Sequence, residues 1–379
     1  MRIRKEKTED EIENEKRENQ IIKPKVLNDL SIIIQGKIFG TSEDPYEKQL
    51  TLQCIHSIRN LMPKAEIIVS TWEGEDVSDL PFDKVIFNKD PGAIAYTDLY
   101  PTLLNNNNRQ ITSTINGLRA AKHTYAIKMR GDCKFIDTDF TNYLREFPRG
   151  TQYAYFKKRI IIPTKYSRNP RRIAQLIHPS DIFQMGLRED LLSLWNIQLQ
   201  PEPETTRAFP MEHKIFNNSL TGGYHRMKFG AEQYIWHSFC KKNGLDIELD
   251  HYSHLPVSKI VASDMSIINN FVIEDAALLG VVLPKKMLYH FDRDLYTYKE
   301  WEDLSERYAR GVSKPYKWAL ISQVYYSNIS RIVWRAQHRL FKFGVSDFVK
   351  VFNSYVRKPR TPFTSNTIRN TIQQSDLTV

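Results

Sequence analysis

The sequence predicts an α/β fold: a Rossmann-type sheet with helices on both faces, followed by a helical, basic and aromatic C-terminal extension. Three observations carry this. Short apolar runs alternate with helical spacings through the first half of the chain, the pattern of βαβ units. Those runs are continuous rather than alternating, as in parallel strands covered on both faces. From Gly311 onward eleven Lys and Arg face only two Asp, so of the net +10 the first 310 residues carry just +1.

The elements follow in order. Leu30–Gly36 is an apolar run closed by glycine and reads as the first buried strand. Tyr46–Leu61 places Leu50, Cys54, Ile58 and Leu61 on one helical face, and Pro63 stops it. Ala65–Thr71 and Lys84–Asn88 are the second and third strands, Asn107–Ala121 an amphipathic helix, and Thr124–Met129 the fourth strand. Beyond Gly150 the pattern loosens. Tyr153–Ile162 is strand-like, Ile177–Met185 mixed, Pro201–Gly223 a long loop and Ala231–Lys242 a helix. The expected organisation is a charged lead-in over 1–27 and a main domain over 28–290, split into a nucleotide half (28–150) and an acceptor half (151–290). A helical basic and aromatic region over 291–359 and a disordered tail over 360–379 complete it.

Composition narrows the class. Hydrophobic residues make up 41% and aromatics 12%, enough for a large core. Nowhere do eighteen consecutive apolar residues occur, so no spanning helix is expected. The first twenty residues are charged and lack the apolar run of a secretory signal. Cys54, Cys133 and Cys240 have no metal-ligand spacing and imply no disulfide framework, which fits a reducing, cytoplasmic setting.

Each predicted strand in the first half ends in residues that a ligand can use. These are Gln35-Gly36-Lys37, then Ser70-Thr71-Trp72-Glu73-Gly74, then Asn88-Lys89-Asp90-Pro91-Gly92, and finally Arg130-Gly131-Asp132. In open α/β sheets ligands gather at the carboxyl ends of the strands. Trp72 can stack on a base, and Glu73 or Asp90 can accept from ribose or base donors. Any one such corner is also ordinary turn chemistry or a solvated ion pair; four in succession point to a nucleotide. No GxGxxG follows the first strand and no P-loop occurs, which disfavours dinucleotide and P-loop enzymes and leaves a sugar-nucleotide transferase. Such enzymes often hold the diphosphate through Mg²⁺ or Mn²⁺ on an Asp-x-Asp, whereas this strand end offers Arg130-x-Asp132, one carboxylate and one guanidinium. The Asp-x-Asp at Asp137-Thr-Asp139 precedes a helical spacing (Phe140, Tyr143, Leu144, Phe147) and reads as a helix cap. Downstream, Asp181 and Glu232 are candidate bases for an acceptor hydroxyl. Glu232 also suits a helix N-terminus on electrostatic grounds alone, and His178 reads as a core histidine.

Taken together and in order, seven segments resemble the WavE-type lipopolysaccharide-synthesis family of bacterial surface-glycan proteins. They are IIIQGKI (32–38), SIRNLMPKAEIIVSTWEG (57–74), FNKDPG (87–92), NNNNRQITSTINGL (105–118), YAIKMRGDCKF (125–135), HPSDIFQMG (178–186) and AEQYIW (231–236). The resemblance covers roughly residues 30–240. It implies a glycosyltransferase with a GT-A-like, nucleotide-sugar-binding fold acting on a lipopolysaccharide core or capsular polysaccharide. Its blocks fall on Thr71–Gly74, Asn108–Gln110, Arg130–Asp132, Pro179–Asp181 and Ala231–Gln233, with Gly131 where the family usually has a small polar residue. Donor binding then falls to Gln35, Gly36, Thr71, Trp72, Glu73, Asp90, Arg109, Arg130 and Asp132. The family lacks a plain Asp-x-Asp, so the diphosphate is met either by a divalent cation (Mn²⁺ or Mg²⁺) on Asp132 or directly by Arg109 or Arg130.

In the tail, Lys314 to Phe343 mixes cations with Tyr316, Trp318, Tyr325, Tyr326, Trp334, Phe341 and Phe343. This fits a helix lying on an anionic membrane surface, within reach of a lipid-linked or polysaccharide acceptor at the inner face of the inner membrane. The competing readings are packing on the main domain and nucleic-acid binding, and the nearly neutral body disfavours the second. At the level of the whole protein, a non-catalytic scaffold and a nucleotidyltransferase are the alternatives to a glycosyltransferase.

Overall fold

A computed structural model describes residues 23–40, 49–96, 104–208, 227–284, 287 and 292–343. Its centre is a seven-stranded sheet built from β1 (Leu30–Gln35), β2 (Glu66–Trp72), β3 (Lys84–Asn88), β6 (Tyr125–Arg130), β8 (Ile160–Pro163), β9 (Gln184–Leu187) and β10 (Phe271–Glu274). The order across the sheet is β10-β8-β9-β6-β1-β2-β3. All neighbours run parallel except β9, which is antiparallel to both β6 and β8. Two short pairs stand apart: β4 (Ile94–Ala95) with β5 (Leu104–Asn105), and β7 (Lys134–Phe135) with β11 (Val281–Val282).

All six residues of β1 are buried, so both faces of the sheet are covered at its centre. That is why Leu30-Ser-Ile-Ile-Ile-Gln35 reads as a continuous apolar run. α1 (Leu50–Leu61) turns Cys54, Ile55 and Ile58 inward, and α2 (Asn107–Ala120) lies over β1, β2 and β3. Gly117 permits that close approach: a Cβ there would sit 2.4 Å from Ile33 Cγ2. After β3 the chain returns to the other side of β1 to form β6. The β1–β6 boundary is therefore the point where strand order reverses and a crevice opens beyond the carboxyl ends.

The first half follows its sequence pattern to within a residue or two, with Thr71 and Trp72 closing β2 and Arg130 closing β6. The expected helix start at Tyr46 lies outside the described residues, which begin again at Gln49. Two expectations in the second half are corrected. The strand predicted from Tyr153 is only Ile160–Pro163. Tyr153 has φ 58, and the next N–H groups are taken by side chains: Tyr155 and Phe156 donate to Asn270, Lys157 and Lys158 to Asp190. With those donors spoken for, no ladder forms. The helix predicted after Asp137-Thr-Asp139 is a short 3₁₀ turn, Asp139–Tyr143, without a side-chain cap. Phe140 is held instead in an aromatic cluster with Phe135 and Phe183. The mixed stretch Ile177–Met185 resolves into a loop and the start of β9. Residues 201–208 of the expected loop form turns; the remainder, like 1–22 and 344–379, lies outside the described residues.

α3 (Arg188–Trp195), α4 (Ala231–Lys242) and α5 (Val257–Asn270) complete the second half, and α5 runs straight into β10. α6 (Tyr298–Ala309) and the start of α7 (Lys314–Phe343) join the same core through Trp301, Leu304, Tyr308, Leu320 and Val324. The described part of the C-terminal region is thus docked on the main body. One buried ion pair organises that docking. Arg171 makes two 2.8 Å bonds to the Asp264 carboxylate on α5, and the Tyr296 and Tyr308 hydroxyls donate to the same carboxylate. Burial alone would raise the pKa of Asp264, but Arg171 and the two phenols outweigh it and hold the group below its ordinary value. Arg171→Met leaves that carboxylate buried without its cation and should cost about 3–5 kcal/mol of stability. Urea denaturation would measure it, and adding Asp264→Leu should recover most of the loss.

Candidate functional site

The crevice between β1 and β6 collects the residues that can do chemistry. On the β1 side, Gln35 accepts from Ser113 Oγ of α2 at 2.9 Å, and Gly36, with φ 100, donates its N–H to the Ser70 carbonyl. On the β6 side, Arg130 Nε and Nη2 donate to the two oxygens of Asp132 at 2.8 and 2.6 Å. Burial works against the charge on Arg130, but Asp132 outweighs it and raises the pKa of the guanidinium. Asp132 is enclosed, with its side chain 1% exposed, whereas that of Arg130 is 30% exposed. Gly131 is needed between them because a Cβ would lie 2.8 Å from Thr51 Oγ1 on α1.

Beside this pair lie Asp181 and Glu232, which the structure brings into one electrostatic cluster with Lys128 and His178. Lys128 is wholly buried in the middle of β6. Its ammonium donates to the Asp181 backbone carbonyl and sits 4.8 Å from the Trp195 ring. His178 Nδ1 is 3.0 Å from the Tyr166 carbonyl, which fixes its proton there. Nε2 then faces the Tyr252 hydroxyl at 3.4 Å and Glu232 at 3.7 Å. Burial pushes the histidine down to about 3, so the ring is neutral, as its reading as a core histidine expects. Glu232 is in the first turn of α4, and its neighbour Gln233 pins that turn. Gln233 accepts from Gly230 N–H and donates to the Leu176 and Tyr252 carbonyls. Of the AEQ block, Gln233 thus holds the frame and Glu232 faces the cluster. Burial, and then the charge of Glu232, raise the Asp181 carboxyl to about 6; burial raises Glu232 as well. The same burial lowers Lys128 to about 8.

The first turns of α2 link the parts. Arg109 makes a two-pronged bond to Asp90 at 2.8 and 2.6 Å, Gln110 donates to the Asp181 side chain, and Ser113 reaches Gln35. Asn108, by contrast, exchanges bonds with the main chain of Gln200, and Asn107 bonds the Gln200 side chain. The asparagine run therefore clamps the 200–206 loop. At the end of β2, Thr71 is buried with its hydroxyl unpartnered, Trp72 is half-buried and Glu73 is exposed. Asn88 is tied to Ser70, Thr71 and Asn116 and serves the frame. Lys128 and Arg168, a cation that acts on both His178 and Glu232, were not singled out from the sequence. A lysine interrupting the apolar run Tyr125-Ala-Ile-Lys-Met129 is the signal that pointed to the first.

The family model for WavE lipopolysaccharide synthesis matches residues 30–338, most of the chain. The chain belongs to this family. WavE membership assigns it a role in bacterial lipopolysaccharide synthesis, and the match runs well beyond the segments ending at Trp236, through α5 and α6 into α7. No curated protein matches the chain. Among the described residues no helix is long and apolar enough to cross a membrane. In this WavE chain the raised Asp181 carboxyl has a consequence for stability. A raised pKa contributes stability that is present below the ordinary value of 3.8 and is lost as pH rises through about 6. Wild-type stability should therefore fall over that window relative to Asp181→Asn, in urea denaturation series run at each pH.

Proposed function

We propose that the chain is a glycosyltransferase that moves a sugar from a nucleoside-diphosphate donor to a lipopolysaccharide core or capsular polysaccharide acceptor. The observation that carries this reading is the meeting of a partly exposed arginine, Arg130, with a buried carboxyl, Asp181, and a half-buried one, Glu232, both of raised pKa, at the point where strand order reverses. The mostly parallel sheet with its crevice at the carboxyl edge agrees with a GT-A-like fold. In the proposed reaction the acceptor hydroxyl gives its proton to the Asp181 carboxylate, and its oxygen bonds to the anomeric carbon. The bond from that carbon to the β-phosphate oxygen breaks, and its electron pair leaves with the nucleoside diphosphate. A base titrating near 6 is mostly ionised at neutral pH yet still takes up a proton readily, which suits that step. Glu232 orients the acceptor beside Asp181.

Arg130 meets the diphosphate with the N–H groups that Asp132 leaves over, since a guanidinium carries five. Arg109, held by Asp90, and the N-terminal end of α2 add positive potential at the same edge. Trp72 and Glu73 receive the nucleoside. A cation on Asp132 would have to displace both bonds from Arg130, a donor set poorly suited to Mg²⁺ or Mn²⁺. Arginine is therefore the proposed counter-charge in place of a metal ion.

Thermal unfolding against a panel of nucleoside mono- and diphosphates, with Mn²⁺ or with chelator, tests this. One diphosphate should raise the transition whether or not Mn²⁺ is present, since a ligand at a hundredfold its Kd adds about 2.7 kcal/mol. No shift with any nucleotide would favour the scaffold, and a strict need for Mn²⁺ would return the metal to Asp132. Asp181→Asn should keep the shift and lower kcat by roughly 10²–10⁴-fold, the range for loss of a general base.

A further inference from the structure

α7 carries an apolar face that the body leaves uncovered. Leu320 and Val324 are buried against the core, while Trp318, Tyr326 and Ile329 are 67%, 76% and 56% exposed. Helical geometry puts these three on one side, together with the half-buried Ile321 and Tyr325. Across from them, at the start of α5, Val257 is 48% exposed. A cleft of about 330 Å³ separates the two helices, lined by Val257, Val261, Met265, Trp318 and Ile321 with Lys317. The charge carried by this helix has one sign. α7 has no carboxylate along its thirty residues, and Lys314 and Lys317 are exposed beside the aromatic residues.

A protein partner of ordinary composition would leave such a helix with cations to match one by one. A sheet of anionic headgroups over acyl chains matches both halves at once: the cations meet phosphates, and Trp318, Tyr326 and Ile329 enter the headgroup boundary to a depth of ~5–10 Å. We infer that the outer face of α7, with the cleft beside α5, docks the protein on an anionic lipid bilayer. The helix lies in the surface rather than across it, in keeping with its lack of a spanning apolar window. This inference stands apart from the chemistry of the crevice, and its test involves no turnover.

The full chain is sedimented with phosphatidylglycerol-containing vesicles and with pure phosphatidylcholine vesicles, at low and high salt. Binding to the first alone, weakened by salt, is expected. Neutralising two cations through Lys314→Gln with Lys317→Gln should weaken it by roughly thirtyfold. The triple variant Trp318→Ser, Tyr326→Ser, Ile329→Ser alters exposed positions only, so it should keep the wild-type melting temperature while losing at least about tenfold in partitioning. Three results would overturn the inference. The first is a chain that stays in the supernatant with anionic vesicles, and the second a triple variant that binds as the wild type does. The third is a wild-type dimer by light scattering that the triple variant abolishes, which would make a second copy of the chain the occupant of this face.

Discussion

The ammonium of Lys128, sealed inside the sheet, constrains the rest of the molecule. A cation without water needs acceptors and opposite charge close at hand. Here it has the Asp181 carbonyl, the face of Trp195, and the fields of Asp181 and Glu232. Those partners come from the loop before β9, from α3 and from α4. Satisfying one side chain on β6 therefore draws three later elements against that strand. β9 fits the same demand: it runs antiparallel beside β6, with Lys128 opposite Gln184, and so delivers the 178–183 loop directly above the lysine.

The chemistry of the crevice follows from the same enclosure. Asp181 and Glu232 share a space from which water is largely excluded, so each favours its neutral form more than it would in solution. Lys128 opposes that tendency for Asp181, and Gln110 adds a hydrogen bond. The Arg130–Asp132 pair occupies the adjoining wall with its guanidinium partly open. The proposed proton acceptor, in the loop before β9, and the proposed anion receptor, at the end of β6, thus sit side by side. Far along the chain, the Arg171–Asp264 pair ties the segment after β8 to α5, while the hydroxyls of Tyr296 and Tyr308 bring in the approach to α6 and α6 itself. The C-terminal helices are consequently anchored to the domain that holds the site.

Much of this was legible in the sequence, for a local reason. Strands buried on both faces announce themselves, so Leu30–Gln35 and Glu66–Trp72 stood out, and Ala231–Lys242 had a helical period of its own. Arg130, Asp132, Asp181 and Glu232 drew attention because polar groups at strand and helix ends are conspicuous, and the fold brings them to one crevice. What escaped depended on contacts between distant residues. Nothing near Tyr153 indicates that Asn270 and Asp190 will take the N–H groups of residues 155–158. Nothing in the asparagine run before Arg109 indicates that Asn107 and Asn108 will be engaged by Gln200, more than ninety residues away. Asp90 and Arg109 were each expected at the donor, and the fold pairs them with one another.

Amide hydrogen exchange tests directly whether the β1–β6 crevice receives the diphosphate of a nucleotide donor. With a bound nucleoside diphosphate, the account predicts slowed exchange in three separate segments: 35–37 after β1, 130–133 after β6, and the 178–183 loop. Protection confined to other parts of the chain, with these three segments exchanging as they do in the free protein, would contradict it.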